Sequence, residues 1–143
     1  MTGDIWSPVG LAVVHPWLCD VMGHMATRHY AALFEDASYQ LFARFAPPPE
    51  EDEAAGFGWA DIRHEIDYKA EIGSGALLAL SGRVSAIGRT SLQCEYRVCG
   101  RKDDRLHALM TARTVRFDLR SRRASVIDDA MRAAITSAFG ISG

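Results

Sequence analysis

The spacing of hydrophobic residues changes from a helical to a strand pattern near residue 60. Between residues 27 and 45, large apolar side chains recur at intervals of three and four, which predicts one long helix with a broad apolar face. The apolar run at residues 11–18 predicts a first strand before this helix, with Pro16 at an edge or a bulge. Prolines at residues 47–49 end the helix, and the acidic run at residues 50–53 predicts a solvated loop.

From residue 61 onward, apolar and polar residues alternate, and this period of two predicts a strand with one buried face. The residues predicted on that face are Ile62, His64, Ile66 and Tyr68. Glycine-containing turns then separate three further predicted strands, near residues 76–87, 91–99 and 106–119. The three short connections between these four strands favour an antiparallel meander.

Near the C-terminus, Asp128 can cap a final helix, because an aspartate at this position accepts hydrogen bonds from the first helical turn. The apolar residues of that helix are Met131, Ala134, Ile135 and Phe139. A long helix with so wide an apolar face needs a sheet around it, and five one-sided strands supply one. We therefore expect a single α+β domain over residues 1–143. Its five-stranded antiparallel sheet curls around the long helix, and a short helix follows at the C-terminus.

The composition, 48% hydrophobic and 24% charged, is that of a globular protein and excludes collagen-like, coiled-coil and wholly disordered chains. A chain of 143 residues can form one core but is too short for two ordinary domains. No stretch approaches the roughly 18 apolar residues of a membrane span, and the N-terminus lacks a signal-peptide pattern. We therefore expect a cytoplasmic protein without a membrane partner. Cys19, Cys94 and Cys99 lack metal-site or disulfide-framework spacing, which predicts reduced, mostly buried thiols.

The net charge of −2 conceals an asymmetry, because residues 1–71 carry a net −8 and residues 72–143 a net +6. Fourteen of the sixteen basic residues are arginine. Arginine grips phosphate oxygens bidentately, so the second half could bind an anionic ligand, although genomic base composition explains an arginine bias equally well. The isoelectric point near 6.2, without aromatic residues within a basic stripe, argues against nucleic acid as the main partner.

Several catalytic signatures are missing from the sequence: it contains no GxSxG elbow, no GxxxxGK[ST] loop and no HExxH motif. The five histidines are too scattered to predict a metal site. The segment at residues 20–27, which joins a strand to the long helix, therefore remains the best candidate for chemistry. Unpaired amides and the positive end of the helix dipole could polarise a carbonyl oxygen there.

In such a site, Asp20 could attack the carbonyl carbon or activate a water, while the amides from about Met25 to Thr27 hold the oxyanion. A purely structural interpretation is also open. In that case Asp20 caps the helix, and Gly23 simply lets the chain turn.

The pattern D-x-x-G-H-x-x-x-x-x-Y-x-x-x-x-E-x-A resembles the signature of hotdog-fold acyl-CoA thioesterases of the 4-hydroxybenzoyl-CoA thioesterase type. The matching residues are Asp20, Gly23, His24, Tyr30, Glu35 and Ala37. In the same order along the chain, residues 64–68 resemble the second strand of that family. Residues 87–91 resemble a turn between its strands, and residues 113–118 its last strand. The ordered set covers about 120 residues.

The resemblance implies hydrolysis of an acyl-CoA thioester to a carboxylic acid and free CoA, with no metal or other cofactor. It makes Asp20 the catalytic carboxylate and gives the amide near Thr27 the role of polarising the thioester. It also implies a homodimer or homotetramer with the site at a subunit interface. The CoA phosphates would be bound by arginines near Arg89.

Further site residues each have two interpretations. His24 could orient a water or the thioester, or be satisfied by backbone groups. His64 could reach the acyl pocket or be a core histidine, and Glu35 could act chemically or form buried hydrogen bonds. Phosphate binding or a plain turn would explain Arg89, Thr90 and Ser91. The residues we expect to contact the substrate are Gly23, Tyr30, Glu35, His64, Arg89, Thr90 and Ser91.

Four residues depart from the family pattern and leave the identity of the acyl group open. Ala26 and Thr27 replace an Asn-Asn pair, Ser38 replaces an arginine, and Glu71 replaces a proline. The main alternative function is a hotdog module that binds acyl-CoA without turnover. A hotdog dehydratase should show a histidine followed by a Pro- or Gly-rich turn, and His24 is not followed by one. A cone-shaped α+β isomerase should open with helices, and this chain opens with a predicted strand.

Overall fold

The computed structural model describes residues 5–142. In chain order, its elements are β1 (Ser7–Val13), a 3₁₀ helix (Pro16–Leu18), α1 (Thr27–Phe42), α2 (Pro49–Ala54), β2 (Phe57–Tyr68), β3 (Leu77–Ile87), β4 (Ser91–Gly100), β5 (Leu106–Asp118), β6 (Arg123–Ala124) and α3 (Asp129–Phe139). No helix among these described residues is both long and apolar enough to cross a membrane.

The sheet is antiparallel, with the five long strands in the order β1-β3-β4-β5-β2, and the short β6 pairs with the end of β5. Strands β3, β4 and β5 form the predicted meander. We predicted that β2 joins this meander beside β3. This prediction was wrong, because β2 pairs with β5, at the opposite edge of the meander. The free edge of β3 is occupied by β1, from Ser7 opposite Gly82 to Val13 opposite Leu77.

The long helix α1 buries one face against the concave side of the sheet. Its buried residues, Tyr30, Phe34, Ala37 and Leu41, recur at helical intervals and join one core with the inward side chains of the strands. Burial of each large apolar side chain contributes about 1.5–3 kcal/mol relative to exposure. The predicted α+β architecture, a sheet curled around one long helix, is confirmed.

The cysteines only partly follow the prediction of buried, reduced thiols. All three are free, but Cys94 alone is fully buried, whereas Cys19 and Cys99 are half-buried. Burial in the core raises the pKa of the Cys94 thiol to about 12, so this thiol stays protonated at neutral pH. Burial likewise raises the pKa of Tyr96, the next inward residue on β4.

Several predicted boundaries were wrong. Strand β1 ends at Val13 rather than reaching residue 18, because Pro16 opens the 3₁₀ helix instead of lying in the strand. Helix α1 ends at Phe42, three residues before the predicted end. At the C-terminus, the predicted cap is confirmed, since the Asp128 carboxylate accepts a hydrogen bond of 2.7 Å from the Met131 amide.

The acidic run at residues 50–53 is not a solvated loop, because it forms most of helix α2. Pro49 lies in the first turn of α2, where a proline costs no hydrogen bond. Asp52 is buried and accepts two hydrogen bonds, of 2.5 and 2.7 Å, from the guanidinium of Arg116 on β5. This ion pair explains why α2 forms, because it ties the helix to the sheet across 64 residues of sequence.

Loss of the Asp52 carboxylate should destabilise the protein strongly, because a buried Arg116 charge would be left without a counter-ion. We expect Asp52→Ala to lower the free energy of unfolding by about 3–5 kcal/mol, measured by urea denaturation. Glu51→Ala, which removes an exposed carboxylate from the same helix, should change it by less than about 0.5 kcal/mol. Equal effects of the two substitutions would contradict a stabilising role of the pair.

Candidate active site

The loop of residues 20–24 is closed on itself. The Asp20 amide donates to the His24 carbonyl at 2.8 Å, and the Gly23 amide donates to the Asp20 carbonyl at 3.0 Å. Gly23 has a φ of 79°, a backbone conformation that strongly favours glycine. The predicted turn at Gly23 is therefore present, and it brings Asp20 and His24 together.

The carboxylate of Asp20 is exposed and held in one orientation by its own loop. Its Oδ1 atom accepts hydrogen bonds from the amides of Met22 at 2.9 Å and His24 at 3.3 Å. Among residues 5–142, no group donates to the other oxygen, Oδ2. Asp20 thus shapes its own loop and does not cap α1, so the structural interpretation was wrong for Asp20.

The expectation that amides from Met25 to Thr27 hold an oxyanion was wrong for the first two of these residues. The Met25 amide donates to the Ile72 carbonyl at 2.8 Å, and the Ala26 amide donates to the Leu18 carbonyl at 2.9 Å. Both amides are consumed because this segment pairs with its neighbours before the helix begins.

The first turn of α1 does offer free donors, and they include the amide of Thr27, the last of the three predicted. Its N-cap, Ala26, has no side chain that could cap the helix, and the first turn contains no acidic residue. The amides of Thr27 and Arg28 donate to no acceptor in the described part of the chain. The positive end of the α1 dipole is therefore unopposed beside the Asp20 loop.

The side chain of His24 lies beside that of Glu71, the residue that replaces a proline of the family pattern. Its Nε2 atom is 3.2 Å from an oxygen of Glu71, and its backbone forms a bridge with Gly73. Among residues 5–142, the ring of His24 forms no hydrogen bond with a backbone acceptor or with the Asp20 side chain. The loop is anchored next to the end of β2.

Tyr30 is part of the core, with only 4% of its surface exposed. Its ring packs edge-to-face on Tyr68 at a centroid distance of 5.0 Å. Burial, followed by the neighbouring Tyr68 and Glu71, raises the pKa of the Tyr30 hydroxyl. The ring holds the last residue of β2 against the first turn of α1, and its predicted contact with substrate stays a prediction.

A cavity of about 830 Å³ opens between α1, α2 and the concave face of β2, β4 and β5. Glu35 and His64 both line it, as expected if they contact an acyl group. Aromatic and aliphatic side chains make up much of the wall: Phe34, Phe42, Phe57, Trp59, Tyr96 and Met110. The cavity lies farther along α1 than the Asp20 loop, since none of residues 20–28 lines it.

The predicted alternation in β2 breaks at Ile62, where the register with β5 shifts between Asp61 and Arg63. As a result, Ile62 is 60% exposed rather than buried, and Asp61 joins His64 on the concave face. Tyr68 is also 51% exposed, because β2 forms an edge of the sheet. No glycine or proline near Ile62 signals a bulge, so strict alternation placed Asp61 on the solvent side.

Sequence reasoning predicted His64 as a site residue but missed two polar residues beside it, Asp61 and Thr114. Its Oδ1 atom accepts a hydrogen bond of 2.7 Å from the hydroxyl of Thr114, and its Oδ2 atom is 3.4 Å from Nε2 of His64. All three residues line the cavity. We refer to Asp61, His64 and Thr114 as the polar cluster.

The turn at residues 88–91 lies far from the Asp20 loop within one chain. The eleven residues of β3 separate it from Gly73, a length of about 36 Å for an extended strand. The Arg89 carbonyl accepts from the Ile127 amide at 3.0 Å, and the Thr90 carbonyl from the Arg116 amide at 2.7 Å. The turn, with Ser91 at the start of β4, is therefore well anchored. The guanidinium of Arg89 pairs with no carboxylate among residues 5–142.

A family model described as the thioesterase-like superfamily matches residues 14–135. The chain belongs to this superfamily. The sheet around α1 is the hotdog fold that the sequence motifs implied, and the prediction of a thioester hydrolase is confirmed at the level of the family. Comparison with curated protein sequences gave no match.

Several solved structures have the same fold. One is a hypothetical protein from Staphylococcus aureus in complex with CoA, which is 13% identical in sequence and has a TM-score of 0.85. The alignment covers 98% of this chain and 89% of that protein. A 1,4-dihydroxy-2-naphthoyl-CoA thioesterase from Synechocystis is 16% identical with a TM-score of 0.77, covering 88% and 93%. A thioesterase from Thermus thermophilus, complexed with coenzyme A and Zn, is 23% identical with a TM-score of 0.76, covering 96% and 95%. These likenesses establish the fold.

Proposed function

We propose that this protein hydrolyses an acyl-CoA thioester to a carboxylic acid and free CoA. The single observation that carries the proposal is the uncapped start of α1. There the free amides of Thr27 and Arg28 lie beside a loop that presents the Asp20 carboxylate. Water adds to the acyl carbon, the carbon–sulfur bond breaks, and the CoA sulfur leaves as the thiol. Neither a metal nor a redox cofactor is needed for this reaction.

The two parts of the site act on opposite ends of the carbonyl group. As the carbonyl carbon is attacked, its oxygen gains negative charge, which the free amides and the helix dipole stabilise. One such donor lowers the barrier by about 3–4 kcal/mol. A positioned carboxylate contributes a further factor of about 10² to 10⁴ in rate. Asp20 either attacks the carbon itself or takes a proton from the attacking water.

The loop favours one oxygen of Asp20 for this task. Because Met22 and His24 both donate to Oδ1, the carboxylate is held in place while Oδ2 has no partner among the described residues. A nucleophile or base that is already oriented loses little entropy when the substrate binds. This arrangement supports a catalytic role for Asp20 in addition to its structural one.

We further propose that the active unit is a homodimer formed through the edges of two β2 strands; a tetramer would need a second interface. The edge of β2 is open and carries exposed apolar side chains, including Ile62 and Tyr68. The Asp20 loop lies at the end of β2, through the contact of His24 with Glu71. Antiparallel pairing would place that end opposite the start of the partner strand, where Phe57 and Trp59 line the cavity. Such a dimer would bring the Asp20 loop of one chain next to the cavity of the other, whereas within one chain the loop does not line the cavity.

The charge distribution supports binding of CoA. Residues 72–143 carry a net +6, and the turn with Arg89, Thr90 and Ser91 belongs to this half. Since the Arg89 guanidinium has no carboxylate partner in the described part of the chain, it is available for a phosphate oxygen. We assign the CoA phosphates to this basic half.

Asp20→Asn should lower kcat for thiol release by about 10²- to 10⁴-fold, because the neutral amide can neither attack nor take a proton. The melting temperature should hardly change, since the Asn oxygen can still accept from Met22 and His24. Asp36→Asn, which alters an exposed carboxylate on α1, should leave turnover intact. Normal turnover by folded Asp20→Asn would contradict the assignment. Tight binding of acyl-CoA by the natural protein without thiol release would instead indicate the non-catalytic module.

Ile62→Lys should convert the protein to a monomer and abolish turnover, because a charge on the β2 edge opposes its pairing with a second copy. Ile62 is exposed in the single chain, so the monomer should keep its fold. Leu11→Lys, which places the same charge at an exposed position of the other edge strand, should affect neither property. Light scattering and thiol release measure the two effects. A natural protein that is monomeric and fully active would contradict the dimer.

A further inference from the structure

The polar cluster has no part in the hydrolysis attributed to Asp20 and the start of α1, yet it faces the cavity. Asp61 and His64 lie on the concave face of β2, with Trp59 and Ile66 as their neighbours on the same face. Much of the cavity wall is apolar, and a ligand that fills the cavity would displace water from the polar groups that line it. Two ionisable residues there need an explanation.

The geometry of the cluster is built rather than incidental. Thr114 is only 3% exposed, and its hydroxyl donates to Oδ1 of Asp61 at 2.7 Å, which fixes the plane of the carboxylate. Oδ2 of Asp61 is 3.4 Å from Nε2 of His64, so the two side chains are neighbours at the cavity wall. Opposite His64 on β5 stands Ala112, whose small side chain leaves room beside the ring.

A purely structural role does not account for the pair. The side chains of Asp61 and His64 are 51% and 45% exposed, so their interaction contributes little to stability. They also join no separate elements, since both belong to β2. By contrast, Asp52 and Arg116 form a buried pair that connects α2 to β5. Asp61 and His64 both line the cavity, as does Glu35.

We propose that the cavity receives the acyl group of the thioester and that the polar cluster selects an acyl chain carrying a hydroxyl group away from the thioester. This inference rests on the hydrolase proposed above. A hydroxyl group both donates and accepts, so it can donate to the Asp61 carboxylate or form a hydrogen bond with the second ring nitrogen of His64, whichever role that nitrogen has. An unsubstituted chain would strip water from both residues and offer nothing in return. A chain that ends in a carboxylate would be repelled by Asp61 and Glu35.

The test compares saturated acyl-CoAs of increasing chain length with their terminally hydroxylated and carboxylated counterparts. For chains long enough to reach the cluster, the hydroxylated member should exceed the unsubstituted one in kcat/KM by about 10²-fold or more. The carboxylated member should be the poorest substrate. Equal kcat/KM for hydroxylated and unsubstituted chains of every length would overturn the inference.

Variants of the cluster test the assignment of residues. Asp61→Asn keeps an acceptor for Thr114 but removes the charge, and His64→Phe keeps an aromatic ring but removes both ring nitrogens. Each should reduce the preference for the hydroxylated chain about tenfold. Glu65→Gln alters a carboxylate on the opposite face of β2, where it pairs with Arg63, and should leave the preference unchanged. Variants that slow both substrates by the same factor would contradict a role in selection.

The outcome separates this inference from the proposed function. Thiol release from all chains without preference would overturn the selection of a hydroxyl group and leave the hydrolase in place. If no acyl-CoA releases thiol, the hydrolase proposal fails. The same comparison then uses dissociation constants from calorimetry, in which a tighter complex with the hydroxylated chain supports the inference and equal affinities overturn it.

Discussion

Burial of one face of α1 in the curled sheet is the constraint on which the other features depend. Tyr30, Phe34, Ala37 and Leu41 fix the helix along its length, so its first turn is held at a defined place beside the Asp20 loop. An Ala N-cap and a first turn without acidic residues leave that end uncapped, at a cost in helix stability of about 1 kcal/mol. The fold thus maintains free amides where a capped helix would have none.

Features set by neighbouring residues could be predicted from the sequence. The cap at Asp128, the α1 face and the β3–β5 meander each depend on spacings within one element or across one turn. The motif around Asp20 also located the loop and the helix start correctly. Of the three amides predicted to hold the oxyanion, only that of Thr27 is free, because Met25 donates to Ile72, a partner distant in sequence, and Ala26 donates to Leu18.

Features set by distant residues could not be predicted. Asp52 looked like one member of a solvated acidic run because its partner, Arg116, lies on a strand far along the chain. Asp61 looked solvent-facing because the bulge at Ile62 has no local signal, and the bulge makes sense only against the register of β5. The edge position of β2 also depends on a distant element. Because β1 pairs with β3, β2 lies at the other edge of the sheet, where Ile62 and Tyr68 are exposed.

The central claim is that a thioester carbonyl binds between the Asp20 carboxylate and the start of α1. A crystal structure with an acyl-CoA analogue in which a methylene group replaces the thioester sulfur tests it most directly, since the resulting ketone cannot be hydrolysed. We predict the ketone oxygen at about 3 Å from the amides of Thr27 and Arg28, with Oδ2 of Asp20 facing the carbonyl carbon. A ketone bound away from the first turn of α1, with those amides facing only solvent, would contradict the account.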